Sequence, residues 1–289
     1  MKGSAFVPGH ITGFFEIFEN DDPVKAGSRG AGVVLDKGVY TTVKAKEGHT
    51  TSVTLNGKTC ECPVSRAVIK DILQIAGAKY DVEVIHELEI PMGQGFGASG
   101  AGALGTALAA NKAMGLNLTM NQCGEIAHRA EVINRTGMGD VIAQSTGGLV
   151  IRTKPGAPGT GTADRIFSDE KVVVFTVGEA VDTKSVLLDR EKIGRINKAG
   201  RVCLAELLKN PSQENFLVLS RRFALEAGLV EEKLRPALKT LEDKGITASV
   251  TMLGNSVFTL TDEPEKVSEY LDYLYIIADI DYSGARVLA

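Results

Sequence analysis

The chain has 289 residues, 44% of them hydrophobic, which is ample for one large or two modest cores. Its formal net charge of −4 argues against a surface built to hold nucleic acid. It has no apolar run long enough to span a membrane, and its opening, Met1-Lys2-Gly3-Ser4-Ala5-Phe6-Val7-Pro8, lacks the apolar core of a secretion signal, so a cytoplasmic protein is expected.

Residues 5–62 read as β-rich. Strands are expected at Ile11–Phe18, Gly32–Leu35 and Val39–Ala45, and Asn56-Gly57 sets a hairpin between Thr51–Leu55 and Lys58–Cys62. Pro8-Gly9-His10-Ile11-Thr12-Gly13 should break the first strand. Gly27-Ser28-Arg29-Gly30-Ala31-Gly32 reads as a glycine-rich loop, serving either as an ordinary turn or as a cradle offering Ser28 and Arg29 to a carboxylate or phosphate. Cys60 and Cys62, two apart on a strand, share a face; with Cys123 and Cys203 they are expected to be reduced structural thiols. Pro63–Ala76 carries apolar residues at helical spacing and ends at Gly77.

Tyr80–Ile90 reads as a strand and Ala101–Met114 as a helix closed by Gly115. Between them lies Pro91-Met92-Gly93-Gln94-Gly95-Phe96-Gly97-Ala98-Ser99-Gly100. A loop missing several Cβ atoms, opening a helix with free N–H groups, is an anion site suited to phosphate. Two better-known phosphate loops are excluded. Gly95-Phe96-Gly97-Ala98-Ser99-Gly100 fits G-x-G-x-x-G, but the following helix leads into Asn117-Leu118-Thr119 and another helix, not into a strand ending in an acidic residue. The Walker pattern fails because no Lys follows before Lys112.

Thr119-Met120-Asn121-Gln122 opens a helix with a capping box that runs to Asn134 or Arg135 and sets His128 and Glu131 on one face. The loop Thr136-Gly137-Met138-Gly139-Asp140 then places an acid in a tight glycine turn, and Gly147-Gly148 leads into a strand at Leu149–Arg152. The Pro- and Gly-rich run 153–164 marks a break, giving expected domains at 1–160 and 161–289. Beyond it come a buried strand at Lys171–Val177, helices over Thr183–Gly228 (interrupted at Asn210-Pro211-Ser212) and Glu231–Lys244, strands at Thr247–Leu253 and Ser256–Thr261, and a helix from Pro264 to Ile277. Strand, helices, hairpin and helix make an α+β layer.

If the glycine loop holds a nucleotide's phosphates, phosphoryl transfer needs a cation with hard oxygen ligands and a group to position the attacking hydroxyl. Ser99 offers a hydroxyl at the helix start, Glu131 a carboxylate, and Asp140 a base. Pro91-x-Gly93-x-Gly95-Phe96-Gly97-Ala98-Ser99 resembles the second motif of the GHMP kinases, P-x-G-x-G-L-G-S-S-A-A, and the order of parts matches over essentially the whole chain. The resemblance implies a two-domain α+β fold with a smaller ferredoxin-like C-terminal domain. It implies ATP and Mg²⁺, with residues 91 and 93–100 around the nucleotide, Ser99 and Glu131 as metal ligands, and Asp140 as catalytic base.

Phe6-Val7-Pro8-Gly9-His10-Ile11-Thr12-Gly13-Phe14-Phe15-Glu16, Gly27–Gly32 and Gly137–Gln144 are more narrowly similar to the archaeal pantoate kinases of that family. This implies phosphorylation of the 4-hydroxyl of (R)-pantoate on the archaeal route to coenzyme A. Ser28, Arg29, His10, His128 and Arg152 are then the candidate contacts, and Ile11 or Phe14 the wall for the gem-dimethyl carbon. Three departures stand out: Ala98 replaces the first Ser of the motif, no Lys accompanies Pro8-Gly9-His10, and Met252-Leu253-Gly254-Asn255-Ser256 keeps one glycine of a normally glycine-rich third motif. Competing readings are a kinase for homoserine, shikimate or mevalonate, and a nucleotide sensor without turnover. A homodimer is compatible with the sequence, which marks no interface.

Overall fold

A computed structural model describes residues 1–179, 190–252 and 254–289. Two very long strands, β1 (Lys2–Phe18) and β2 (Gly27–Glu47), pair antiparallel from Lys2 opposite Lys44 to Phe18 opposite Gly27. Pro8–Gly13 and Gly27–Gly32, expected as turns, are therefore strand. What the sequence registers there is bulging: the register shifts at Pro8/Gly9 and again between Thr12 and Phe14. The glycines serve close approach, since a Cβ at Gly13 would overlap Ser220 Oγ.

β3 (Thr51–Leu55) and β4 (Lys58–Thr59) form the expected hairpin, with Asn56 at φ 47° and Gly57 at φ 76° as a type I′ turn requires. The second arm stops at Thr59. Cys60 and Cys62 are joined by a disulfide, against the expectation of reduced thiols, and Cys62 turns left-handed (φ 41°) to start α1 (Pro63–Ala76). The buried Cys123 and Cys203 are free. β5 (Tyr80–Leu88) inserts between β2 and β3, antiparallel to the first and parallel to the second.

α2 (Ala98–Met114) is buried on nearly every side. Its small residues allow this: a Cβ at Gly105 would overlap Thr41 Oγ1 on β2. α3 (Met120–Asn134) carries the expected capping box of Thr119 and Gln122. The glycine turn stands at 136–139 as expected, and α4 (Asp140–Thr146), a short helix, opens directly after it. β6 (Leu149–Lys154) and β7 (Thr162–Ile166) form a hairpin across the Pro- and Gly-rich run. β6 pairs with the first part of β2 and β5 with the last, completing the eight-stranded sheet.

The second sheet is antiparallel, in the order β11 (Leu274–Ala278), β8 (Lys171–Thr176), β10 (Ser256–Thr261), β9 (Ser249–Val250). Around it run α5 (Arg190–Lys209), α6 (Gln213–Glu226), a 3-10 turn (Glu232–Leu234) into α7 (Arg235–Asp243), and α8 (Pro264–Ser268). The helix expected to reach Ile277 stops at Ser268. Leu274-Tyr275-Ile276-Ile277 instead adds an edge strand to β8, as its β-branched and aromatic residues favour. The part of the expected helix that falls on 183–189, and Leu253, lie outside the described residues.

The two layers share one apolar core. Phe14 on β1 meets Phe216 and Phe223 on α6, and Phe216 meets Phe258 on β10. β12 (Arg286–Val287) returns to pair with β1. On the way back, Asp281 accepts the Gly148 N–H (2.7 Å), Ala285 donates to the Gln144 carbonyl (2.8 Å), and Arg286 pairs with Asp281. Those contacts brace α4 from behind. No helix among the described residues is long and apolar enough to cross a membrane.

Candidate active site

The glycine loop joins β5 to α2. Gly93, Gly95 and Gly97 all hold left-handed φ (69°, 80° and 65°), a conformation costly for residues with a Cβ. At Gly95 space is also lacking, because a Cβ would sit 2.7 Å from the Thr251 side chain. The loop is fixed at both faces. His10 N–H donates to the Phe96 carbonyl (2.9 Å) and Gln144 Nε2 to the Gly97 carbonyl (2.9 Å). Gln94 turns away from the loop's inner face: its Nε2 donates to the Gly178 carbonyl (2.8 Å), its Oε1 accepts from Asn255 N–H (3.2 Å), and its carbonyl accepts from Thr251 Oγ1 (2.9 Å). The shortened third motif thus grips the back of the loop, and a Cβ at its Gly254 would overlap the Gln94 backbone.

In front of the loop lies a cavity of about 360 Å³. Gly93, Gly95, Phe96, Gly97, Ala98 and Ser99 line it, and so do Ser28, Asp140 and Arg152. Pro91, Gln94 and Gly100 do not. At the α2 N-terminus, Ser99 Oγ donates to Glu131 Oε1, which also accepts from Thr136 Oγ1 (2.7 Å). Glu131 Oε2 is buried without a partner. Burial, with Asp140 adding to it and the Ser99 and Thr136 hydrogen bonds opposing, pushes the Glu131 carboxyl up to about 7. A hydroxyl and a carboxylate with a spare buried oxygen are the hard donor set that Mg²⁺ takes.

Asp140 opens α4 with its side chain 23% exposed to the cavity, and its Oδ1 accepts from His10 Nδ1 at 2.7 Å. Burial raises its pKa, but the His10 hydrogen bond and the nearby Arg152 charge outweigh this and hold the carboxyl below the usual range. Arg152, on β6, is 1% exposed, and its Nε and Nη2 have no protein partner. Burial pulls it down to about 10 with Asp140 opposing, so it stays charged at neutral pH. A Cβ at Gly139 would overlap both Arg152 Nη1 and Ser28 Oγ, so that glycine lets the three elements converge.

Other residues expected in the site lie outside the cavity lining. Arg29 faces the opposite side of β2 from Ser28; it pairs with buried Glu16, which also takes Arg201, and stacks on Phe18. His128 donates its Nε2–H to the Ala26 carbonyl (2.8 Å) and is buried behind the cavity wall. Ile11 and Phe14 are wholly in the core. Phe15, Ile17 and Met138 are among the apolar residues that line the cavity instead. The bulge at Gly13 changes the phase of β1, moving the cavity face from Thr12 to Phe15 and Ile17, which an unbroken two-residue period hides. Thr136, Gln144 and Met138 were also missed as partners of the site, although Met138 and Gln144 lie in the stretch 137–144 that carries the narrower resemblance and Thr136 stands next to it.

Residues 64–148 match the family description "GHMP kinases N terminal domain". The chain is 38% identical to the pantoate kinase of Methanocaldococcus jannaschii over 281 residues, covering 96% of this chain and all of that one. It is 38% identical to the pantoate kinase of Thermococcus kodakarensis over 290 residues, covering 96% and 94%. A solved structure described as a phosphotransferase related to the CoA biosynthesis pathway superposes with a TM-score of 0.91 at 37% identity, covering 100% of this chain and 99% of that one. The glycine cradle, the acidic pair behind it and these likenesses together make the chain a member of the GHMP kinase family, beside the archaeal pantoate kinases.

Proposed function

We propose that this protein phosphorylates the 4-hydroxyl of (R)-pantoate with ATP, on the route to coenzyme A. The observation that carries the reading is Arg152: a buried guanidinium with two unpartnered nitrogens, in one cavity with the Asp140 carboxylate and the glycine loop. A carboxylate anchor, a base for a primary alcohol and an apolar wall of Phe15, Ile17 and Met138 for the gem-dimethyl carbon together match that acceptor.

In this reading the glycine loop and the α2 N-terminus bind the nucleotide's phosphates, and Arg152 with Ser28 Oγ holds the acceptor's carboxylate. Asp140, already ionised, accepts the hydrogen bond of the 4-hydroxyl and takes its proton as the oxygen attacks the γ-phosphorus. The new O–P bond forms as the bond to the β-bridging oxygen breaks, and ADP leaves. Mg²⁺, held by Ser99 and Glu131, would supply neutralisation of phosphate charge. ADP release with a panel of pantoate, pantothenate, homoserine, shikimate and mevalonate tests the assignment. Turnover with pantoate alone is expected; turnover with another acceptor and not pantoate overturns it.

The metal site has its own pH signature. In the metal-free protein the folded-state pKa of Glu131 is raised, so its contribution favours folding below the ordinary value of 4.5 and is lost as pH rises towards about 7. The ionised carboxylate then calls for a cation, so Mg²⁺ is expected to raise the melting temperature more at about pH 8 than at about pH 6. Thermal unfolding with and without Mg²⁺ at both pH values measures this. Equal gains would remove Glu131 from the metal site.

A further inference from the structure

His10 is unusual in touching both halves of the chemistry. Its backbone N–H donates to the Phe96 carbonyl in the glycine loop (2.9 Å), and its side chain holds Asp140 (2.7 Å). A carboxylate is acceptor only, so the 2.7 Å contact puts the ring proton on Nδ1. The other nitrogen, Nε2, is buried without a partner, and a Cβ at Gly32 would overlap it. The ring is therefore wedged on one side by bare β2 backbone and tied on the other to one oxygen of Asp140. Unlike the equally buried Arg152, the side chain is not part of the cavity lining, so it does not reach an acceptor there. His10 was expected among the acceptor contacts; its geometry assigns it elsewhere.

We infer that His10 is a positioning residue. It fixes the Asp140 carboxylate by one oxygen, turns the other towards the acceptor hydroxyl, and keeps that base at a set separation from the phosphate cradle. This rests on the reading that Asp140 is the base. Without the Nδ1–H donor the carboxylate is free to rotate, and loss of a near-attack geometry of this kind costs up to about 100-fold in rate.

The test compares three variants at position 10, all of which keep the backbone bond to Phe96. His10→Asn places an amide N–H where Nδ1 stands, His10→Gln places it nearer Nε2, and His10→Ala removes the donor. Steady-state kinetics with pantoate, binding of a non-hydrolysable ATP analogue and melting temperature are read for each. His10→Ala is expected to lower kcat by about 10- to 100-fold, with analogue affinity and KM for pantoate changed by no more than about threefold. His10→Asn should recover most of kcat and His10→Gln little of it. The Asn–Gln comparison stands even where His10→Ala fails to fold. Equal kcat for Asn and Gln, or a loss confined to KM, overturns the inference. If Asp140→Asn itself keeps turnover, the base assignment has failed. If Asp140→Asn is inactive while His10→Gln keeps wild-type kcat, only the role of His10 has failed.

Discussion

Asp140→Asn is expected to lower kcat with pantoate by about 10²- to 10⁴-fold while leaving nucleotide binding intact. The substitution is isosteric, so its effect is chemical. Asp140 Oδ1 accepts from His10 Nδ1, and an Asn oxygen can continue to do so. The amide NH₂ then falls where the second carboxylate oxygen was. A donor replaces an acceptor, and the 4-hydroxyl loses both its partner and the base for its proton. The carboxyl is held below the usual range in the wild type, so the base is ionised throughout the neutral region. Kinetics and a titration with an ATP analogue read the two halves separately. A fall in melting temperature accompanied by lost analogue binding would mark Asp140 as a structural residue of the α4 start instead.

The second large effect is at Arg152. Arg152→Met should cut kcat/KM for pantoate by about 2–5 kcal/mol, roughly 30- to 4,000-fold, because a desolvated charged partner of the acceptor's carboxylate is lost. The effect on folding should have the opposite sign. Arg152 is buried with two nitrogens lacking a hydrogen-bond partner, and this desolvation outweighs its attraction to Asp140, as its lowered pKa reflects, so an apolar side chain of similar length should be neutral or stabilising there. A variant that melts no lower than wild type yet no longer uses pantoate is the expected result. Arg152→Lys should not restore activity, since a point charge lacks the planar fork that meets a carboxylate with two parallel hydrogen bonds. Parallel losses of stability and activity would show instead that the guanidinium supports the fold.

The local parts of the site were legible in the sequence, and the pairings between them were not. The glycine loop, its helix, the capping box at Thr119 and the hairpin at Asn56-Gly57 are set by neighbours a few residues apart, and the structure has each of them. Ser99 with Glu131 was read as one constellation, and their side chains meet. His10 with Asp140 is a contact across 130 positions that no local pattern encodes. The errors share a cause. Pro and Gly in residues 8–13 and 27–32 read as turns, but in a long bulged ribbon they serve close packing. The bulge at Gly13 puts Phe15 and Ile17 on the cavity side with Thr12, where an unbroken alternation from Thr12 would have put Phe14. Arg29 and Ser28, adjacent in sequence, point to opposite faces, which is why one reaches the cavity and the other is taken by Glu16.

The brace behind α4 has a consequence for biosynthesis. Asp140 sits on a seven-residue helix whose far end hangs on Asp281 and Ala285, some 140 positions later in the chain. On the ribosome, the phosphate cradle and α2 emerge well before those partners. A nascent chain halted before residue 281 has the groups that grip nucleotide without the support that aims the base. Such a stalled intermediate should resist protease around α2 while remaining cleavable near residue 147, which pulse proteolysis of arrested chains would reveal. Synthesis would then deliver a nucleotide holder first and a kinase last.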